Sequence, residues 1–266
     1  MTAERVLAVF AHPDDESLLA GGTLAALTAA GVDVMLVCAT AGEQGPIASP
    51  QLATRANLGV VRRAELGASA RVLGVRTVEC LGHPDGELKW ADPAAVAADL
   101  KRVLRRWRPS VVITFGPEGL YWHPDHVAVH EFTLAALDLL AREGYSPWVY
   151  YATWPQGIVA RLVTAMRARG LPADLWGLHP ETFGVPQASI TTVRDVRPLL
   201  ATKLRALRCH RSQLAPDHLL ASIPDDLAEE FLGREYFVRA RPRAAARDWL
   251  EDALGKKRSP RVRYTG

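Results

Sequence analysis

Five near-continuous apolar runs, VLAVF (6–10), VDVMLVCAT (32–40), VRTVECL (75–81), SVVITF (110–115) and PWVYYATW (147–154), are separated by stretches with helical spacing. Strands that do not alternate apolar with polar residues must be covered on both faces, and intervening helices supply that cover. The helices expected are 17–31, closing at Gly31; 49–73, opened by Ser49-Pro50; one opened by Asp92-Pro93, in which Val96, Leu100, Val103, Leu104 and Trp107 share a face; and 123–144. This pattern predicts an α/β, Rossmann-like three-layer fold around a mostly parallel sheet, with its active site at the carboxyl ends of the strands. The 266 residues suffice for one large domain, read here as 1–238. Within it, 155–188 breaks the regular alternation and is the expected substrate-specific rim. From Arg239 to 266 nine Lys/Arg face three Asp/Glu, so this end reads as a basic tail, a solvated or subunit-packing element.

Several classes of function drop out. A net charge of +3 is too small to argue for nucleic acid as a partner. No apolar run approaches the roughly 18 residues of a membrane span, and MTAER leads into the first strand without a signal-peptide core. Three cysteines with no Cys-x-x-Cys spacing read as reduced thiols of a cytoplasmic protein. There is no G-x-S-x-G of a serine hydrolase, no G-x-G-x-x-G dinucleotide turn and no Walker A lysine loop. The sequence leaves the oligomeric state open, a homo-oligomer included.

The polar loops carry the chemistry. AHPDDE (11–16) follows the first strand, AGEQG (41–45) the second, GHPDG (82–86) the third and GPEGLYWHPDH (116–126) the fourth. All four fall on the edge where open parallel sheets bind ligands. A single His-Pro-Asp is most often a turn. Two ligand-rich loops at matching strand ends are harder to explain that way. A catalytic zinc site takes three protein ligands from His and carboxylate and leaves one position open. His12 and Asp15, three apart on a strand-to-helix turn, can face one ion, and His126 is the third candidate. Asp14 is then placed to act as general base on the attacking water, and His123 to face the substrate carbonyl. His126 and His130 stand i,i+4, but the residue after His126 is Val127, so the Glu of H-E-x-x-H is missing and His130 reads as a helix residue near the site.

These motifs together resemble the zinc-dependent PIG-L/LmbE-like de-N-acetylase family. A strand followed by A-H-P-D-D-E and a later H-x-D-H are its signatures. TAGEQG (40–45), RRAELGASARVLGV (62–75), LGHPDG (81–86) and KLRALRCHRSQ (203–213) continue the likeness over roughly residues 5 to 215. The resemblance implies His12, Asp15 and His126 as ligands of Zn²⁺, with Fe²⁺ or another divalent ion able to use the same set, and Asp14 as base. It implies Asp125 as the partner orienting a histidine, with His123 and Tyr121 stabilising the tetrahedral intermediate. Arg62 and Asp85 match sugar-contacting positions, and His210 is expected at the site edge, in a C-terminal helix. Glu43 is a further candidate substrate contact, although it serves structure as readily as function. Glu16 is expected either to cap the following helix or, the preferred reading, to support a metal-ligating histidine, because such histidines commonly need a carboxylate partner.

The resulting expectation is a metal-dependent hydrolase that removes the N-acetyl group from an N-acetylglucosamine-containing small molecule or glycoconjugate. Two alternatives stand beside it: an amidase cleaving a larger acyl group, as in mycothiol-conjugate detoxification, and a non-catalytic sugar-binding relative. The last would have no need of the base Asp14.

Overall fold

The computed structural model describes residues 4–175, 177–242 and 247–255. The chain begins with β1 (Arg5–Phe10), α1 (Asp15–Leu19), α2 (Gly21–Ala29), β2 (Asp33–Cys38), α3 (Leu58–Val72), β3 (Thr77–Cys80) and α4 (Pro93–Trp107). It continues through β4 (Val111–Phe115), a short α5 (Gly119–Trp122), α6 (Pro124–Ala141), β5 (Trp148–Thr153) and α7 (Ile158–Ala168). The last third holds β6 (Thr192–Asp195), α8 (Leu200–Leu207), α9 (Asp225–Leu232), β7 (Arg234–Arg241) and α10 (Trp249–Gly255).

The seven strands among the described residues form one sheet in the order β3-β2-β1-β4-β5-β7-β6. Strands β1 to β5 are mutually parallel, and β7 runs antiparallel to both of its neighbours. The expected α/β fold with a mostly parallel sheet is what the chain adopts. Every residue of β4 and all but the first of β1 and β2 are buried, which is why their sequences show no alternation. The strand order reverses between β1 and β4, and a crevice opens there at the carboxyl ends. That crevice receives the loop His12–Asp14 from one side and 116–123 from the other.

Some boundaries differ from the sequence reading. The helix expected over 17–31 is broken at Ala20, whose φ/ψ of −138°/6° is not helical, into α1 and α2. Ser49-Pro50 does not open a helix. Residues 49–57 make turns, Ala48 N donates to Ser212 O far along the chain, and α3 starts only after Asn57, whose Oδ1 accepts from Thr54 N at 2.7 Å. Asp92 caps α4 as expected, accepting from Ala94 N. The helix expected to carry the C-terminal His-x-Ser-Gln stops at Leu207, which leaves His210, Ser212 and Gln213 in turns.

The boundary read at 238 runs through β7, where Arg239 and Arg241 pair with β5. The basic end therefore starts as an interior strand. A buried ion pair locks it: Lys203 Nζ lies 2.7 Å from Glu235 Oε1, and the Glu235 carboxylate also accepts from the amides of Gly22 and Thr23. The rest of that end lies largely outside the described residues. Among the described residues, no helix is long and apolar enough to cross a membrane.

Candidate active site

The chain leaves β1 and turns sharply. Asp14 adopts φ 125°, a left-handed value costly for a residue with a Cβ. The turn is held from behind. Glu16 Oε2 accepts from Asp14 N at 2.9 Å, and Ser17 Oγ donates to Asp14 O at 2.9 Å. In front, Arg62 Nη2 donates to Asp14 Oδ2 at 2.9 Å and to Pro13 O at 2.6 Å, while Nη1 donates to Gly42 O at 2.7 Å. The glycine of the 40–45 loop makes room for that guanidinium, since a Cβ on Gly42 would lie 2.1 Å from Arg62 Nη1. One turn further along α3, Glu65 accepts from Ser212 N and Ser212 Oγ, which fixes the segment carrying His210.

The loop after β4 is equally constrained. Gly119, Leu120 and Trp122 all have positive φ, so Tyr121 is presented from a contorted backbone. A Cβ on Gly119 would meet Val127 N and His126 Cβ at 2.9 and 3.0 Å, so glycine lets the loop close onto α6. His123 caps α6, its Nδ1 accepting from Asp125 N at 3.2 Å, with Pro124 at the first helical position. This delivers His126 into the crevice. Its Nδ1 faces Gly119 O at 3.1 Å, and its ring stacks on Phe115 with centroids 4.0 Å apart.

Two imidazole nitrogens and a carboxylate converge there. His12 Nδ1 is 3.2 Å from His126 Nε2 and 3.7 Å from Asp15 Oδ2, and His126 Nε2 is 3.5 Å from Asp15 Oδ1. Donors about 2.0–2.1 Å from a tetrahedral ion stand ~3.3 Å from one another, and the Asp15 carboxylate approaches that spacing through a different oxygen toward each ring. The far nitrogens support the same orientation. Gly119 O occupies His126 Nδ1, and His12 Nε2 faces Asp85 Oδ1 at 3.0 Å and Asp125 Oδ2 at 3.3 Å. Asp125 is itself aligned by the amides of Gly86 and Leu88.

Single ligand atoms gather within 4.8 Å in two groups among the described residues, His12-His123-His126 and His12-Asp85-Asp125, neither of which includes Asp15. The hydrogen bonds argue against both. His123 Nδ1 already accepts from Asp125 N, so a neutral ring carries its proton on Nε2 and donates there rather than ligating. The second group is the proton-holding side of the His12 ring.

Charge states follow. Burial opposes a charged His12, but hydrogen bonds to Asp125 and Asp85 and the charge of Asp15 outweigh it and raise its pKa to about 10. His126 is pushed well below the ordinary value by burial and the neighbouring His12 and His123. Burial, with the charge of His12, lowers His123 to about 4, so it is a neutral donor at physiological pH. Burial, assisted by Asp15 and Asp14, raises the Tyr121 phenol and keeps its proton in place. Burial raises Asp15 to about 7 against the charge of His12. Desolvation of Asp85 is outweighed by His12 and the Gln44 amide, which lower it to about 2.

A cavity of about 360 Å³ opens over this cluster. His12, Asp14, Asp15, Arg62, Asp85, Tyr121, His123, His126 and His210 all border it, whereas Asp125 lies behind His12. Glu43 is not among the lining residues. Its Oε1 accepts from Asp85 N and so shapes the GHPDG turn. Asp85, expected on the sugar, reaches the cavity edge but also holds His12. Glu16 corrects its expectation. Neither of its oxygens bonds His12 or His126; Oε1 bonds His210 Nε2 at 2.8 Å and Ser69 Oγ at 2.5 Å. His130 bonds Phe115 O, away from the cavity, as a helix residue.

Sequence reasoning missed a second wall. Trp154, Leu207, Gln213, His218, Leu219 and Phe231 line the cavity along with Val159, Leu162, Leu175 and Phe183 from the 155–188 segment. The turns at 208–224 have no periodicity to betray them, and only the His-x-Ser-Gln likeness pointed there.

A mostly parallel sheet whose switch point gathers His12, Asp15 and His126 beside the Arg62-paired carboxylate of Asp14 is the arrangement to which the comparisons give a family. The description "PIG-L: GlcNAc-PI de-N-acetylase" matches residues 7–137, and the chain belongs to this family. The chain is 35% identical to a 1D-myo-inositol 2-acetamido-2-deoxy-alpha-D-glucopyranoside deacetylase of Thermobispora bispora, over 90% of this chain and 88% of the relative. Among solved structures, an N,N'-diacetylchitobiose deacetylase from Pyrococcus horikoshii, crystallised with an inhibitor, aligns with TM-score 0.59 and 27% identity over 90% of this chain and 83% of its own. A 4-carboxy-2-hydroxymuconate hydratase from Pseudomonas putida aligns with TM-score 0.63 and 21% identity, over 92% of this chain and 99% of its own. The hydratase shares the fold alone, so the activity must be argued from the site.

Proposed function

We propose that this protein is a metal-dependent deacetylase that hydrolyses the acetamide of an N-acetylglucosamine-containing small molecule, with His12, Asp15 and His126 as the ligand set. The observation that carries this reading is the 3.2–3.7 Å convergence of those three side chains at a cavity wall that also presents Asp14. The deacetylases among the relatives support it. A bound divalent ion, Zn²⁺ or Fe²⁺, would supply Lewis acidity at the acetamide oxygen and the attacking water.

The remaining chemistry belongs to the chain. Arg62 holds Asp14 Oδ2, which leaves Oδ1 to take a proton from the attacking water and return it to the departing amine. The products are acetate and a free amino sugar. Tyr121 hydroxyl and His123 Nε2–H are neutral donors for charge developing on the amide oxygen. Asp125 and Asp85 orient His12, and Arg62, Asp85, His210 and Gln213 border the space for the sugar. We also propose a cytoplasmic setting. Cys38 and Cys80, register neighbours on β2 and β3, remain free thiols, which suits a reducing compartment.

The direct test is release of free amine from a panel of N-acetylglucosaminides by the metal-loaded protein. Absence of turnover across the panel, with a stoichiometric ion bound, would overturn the reading. The larger-acyl amidase keeps a place because of the apolar second wall of the cavity.

A further inference from the structure

Two contacts aim the His126 ring. It stacks on Phe115 with centroids 4.0 Å and planes 12° apart, and its Nδ1 meets Gly119 O at 3.1 Å. Both partners belong to one piece of chain, the end of β4 and the loop that leaves it. Phe115 is the root of that loop. On one side it is in register with Ala152 of β5. On the other a buried histidine reaches it, with His130 Nδ1 2.9 Å from Phe115 O. A carbonyl only accepts, so His130 carries a proton on Nδ1 and donates. The His130 ring is fixed in turn, edge to face with Tyr151 at 4.9 Å.

His126 and His130 stand one above the other on the same face of α6, the face that packs on β4. In a metal-binding i,i+4 pair both rings would reach one ion. Here the second reaches the backbone instead. The loop it roots has reason to relax, because Gly119, Leu120 and Trp122 all have positive φ. It is pinned farther along by Gly184 N, which donates to Leu120 O at 2.7 Å, and by Thr153 Oγ1, which donates to Glu118 Oε1 at 3.0 Å.

We infer that His130 is a positioning residue for His126. By holding the Phe115 carbonyl it fixes both the ring on which His126 stacks and the loop that supplies Gly119 O. This rests on the ligand set proposed above, and it gives a role to a buried histidine that the chemistry leaves unused.

Two variants of the full chain test it. His130→Leu keeps the bulk but cannot donate, whereas the amide nitrogen of His130→Asn stands where Nδ1 stood. The first readout is taken without metal: the His126 Nδ1–H resonance should be protected from solvent exchange in wild type and His130→Asn, and exchange rapidly in His130→Leu. The second is affinity for Zn²⁺, by competition with a chromogenic chelator at fixed pH. Losing a group that orients a ligand typically costs about 10- to 100-fold, so His130→Leu should bind about tenfold or more weakly and His130→Asn within about threefold of wild type. Thermal melts verify that both variants are folded. Equal weakening in the two variants would assign the effect to packing and overturn the inference, as would wild-type affinity and exchange in His130→Leu. If the wild type binds no ion while the exchange contrast holds, the positioning stands and the ligand set falls.

Discussion

His210 Nε2 and Glu16 Oε1 lie 2.8 Å apart with both side chains fully buried, and the second Glu16 oxygen accepts from the amide of Asp14. The pair is thus the support on which a left-handed Asp14 backbone rests. Glu16→Gln should lower kcat by about tenfold or more while metal content stays at that of the wild type, because the base is misplaced and the ligands are not. Metal analysis beside single-turnover rates checks this, and loss of the ion would move Glu16 into the ligand support after all.

The same pair gives stability a pH signature. Burial opposes charge on Glu16, but the charge and hydrogen bond of His210 outweigh it and hold the carboxyl below its usual value. Burial likewise opposes charge on His210, and Glu16 overcomes it and raises the imidazole. The Glu16 contribution is present above its unfolded pKa of about 4.3 and is lost as pH falls through the lower folded value. The His210 contribution is present below about 6.5 and is lost as pH rises through the higher folded value. The stability difference between wild type and Glu16→Gln should peak between these two limits. Denaturant melts from pH 4 to 9 test it; a flat difference contradicts the pair.

Asp14 and Asp15 should separate cleanly. Asp15→Ala should lose metal and activity together. Asp14→Asn should keep the ion and substrate binding but lose on the order of 10²–10⁴-fold in kcat, since an amide can accept a hydrogen bond but cannot take the proton. Full metal occupancy in Asp15→Ala would reassign the ligand set toward His123.

His123→Ala and Tyr121→Phe should each cost about 10²-fold in kcat with metal retained. The neutral His123 Nε2–H is the group removed in the first, so its activity should not be recovered by raising the pH.

Metal uptake should release protons. With His12 raised to about 10, its ring is protonated at neutral pH in the metal-free protein and must lose that proton to ligate. Calorimetry in buffers of different ionisation enthalpy should give about one proton released per ion at pH 8, and more below pH 7 as Asp15 also ionises. Proton-independent binding would mean that His12 is already neutral in the metal-free protein.

How far the sequence could be read depended on whether a residue's partner was local. β1, β2 and β4 declare themselves because burial on both faces removes polar residues. β7 does not. Glu235 points into the interior to meet Lys203, 32 positions earlier, and Arg239 and Arg241 carry the look of a surface tail. β6, only four residues long at the sheet edge, gives no signal at all. The AHPDDE loop was legible because His12, Asp14 and Asp15 sit on one turn. Glu16 was misread because its partner His210 is 194 positions away and the nearer histidine looked more plausible.

The placement of β7 has a temporal consequence. Strand β5 (148–153) finds its outer neighbour only at 236–241, so a growing chain carries every proposed metal donor long before the sheet can close. During that interval β5 exposes an unpaired edge, an invitation to pair with another nascent chain. Strand β7 then joins β5 on one side and the edge strand β6 on the other. Its packing against α9 steadies Phe231 at the cavity. A protein cut before β7 would lose both antiparallel pairings of the sheet while still carrying every residue of the proposed site.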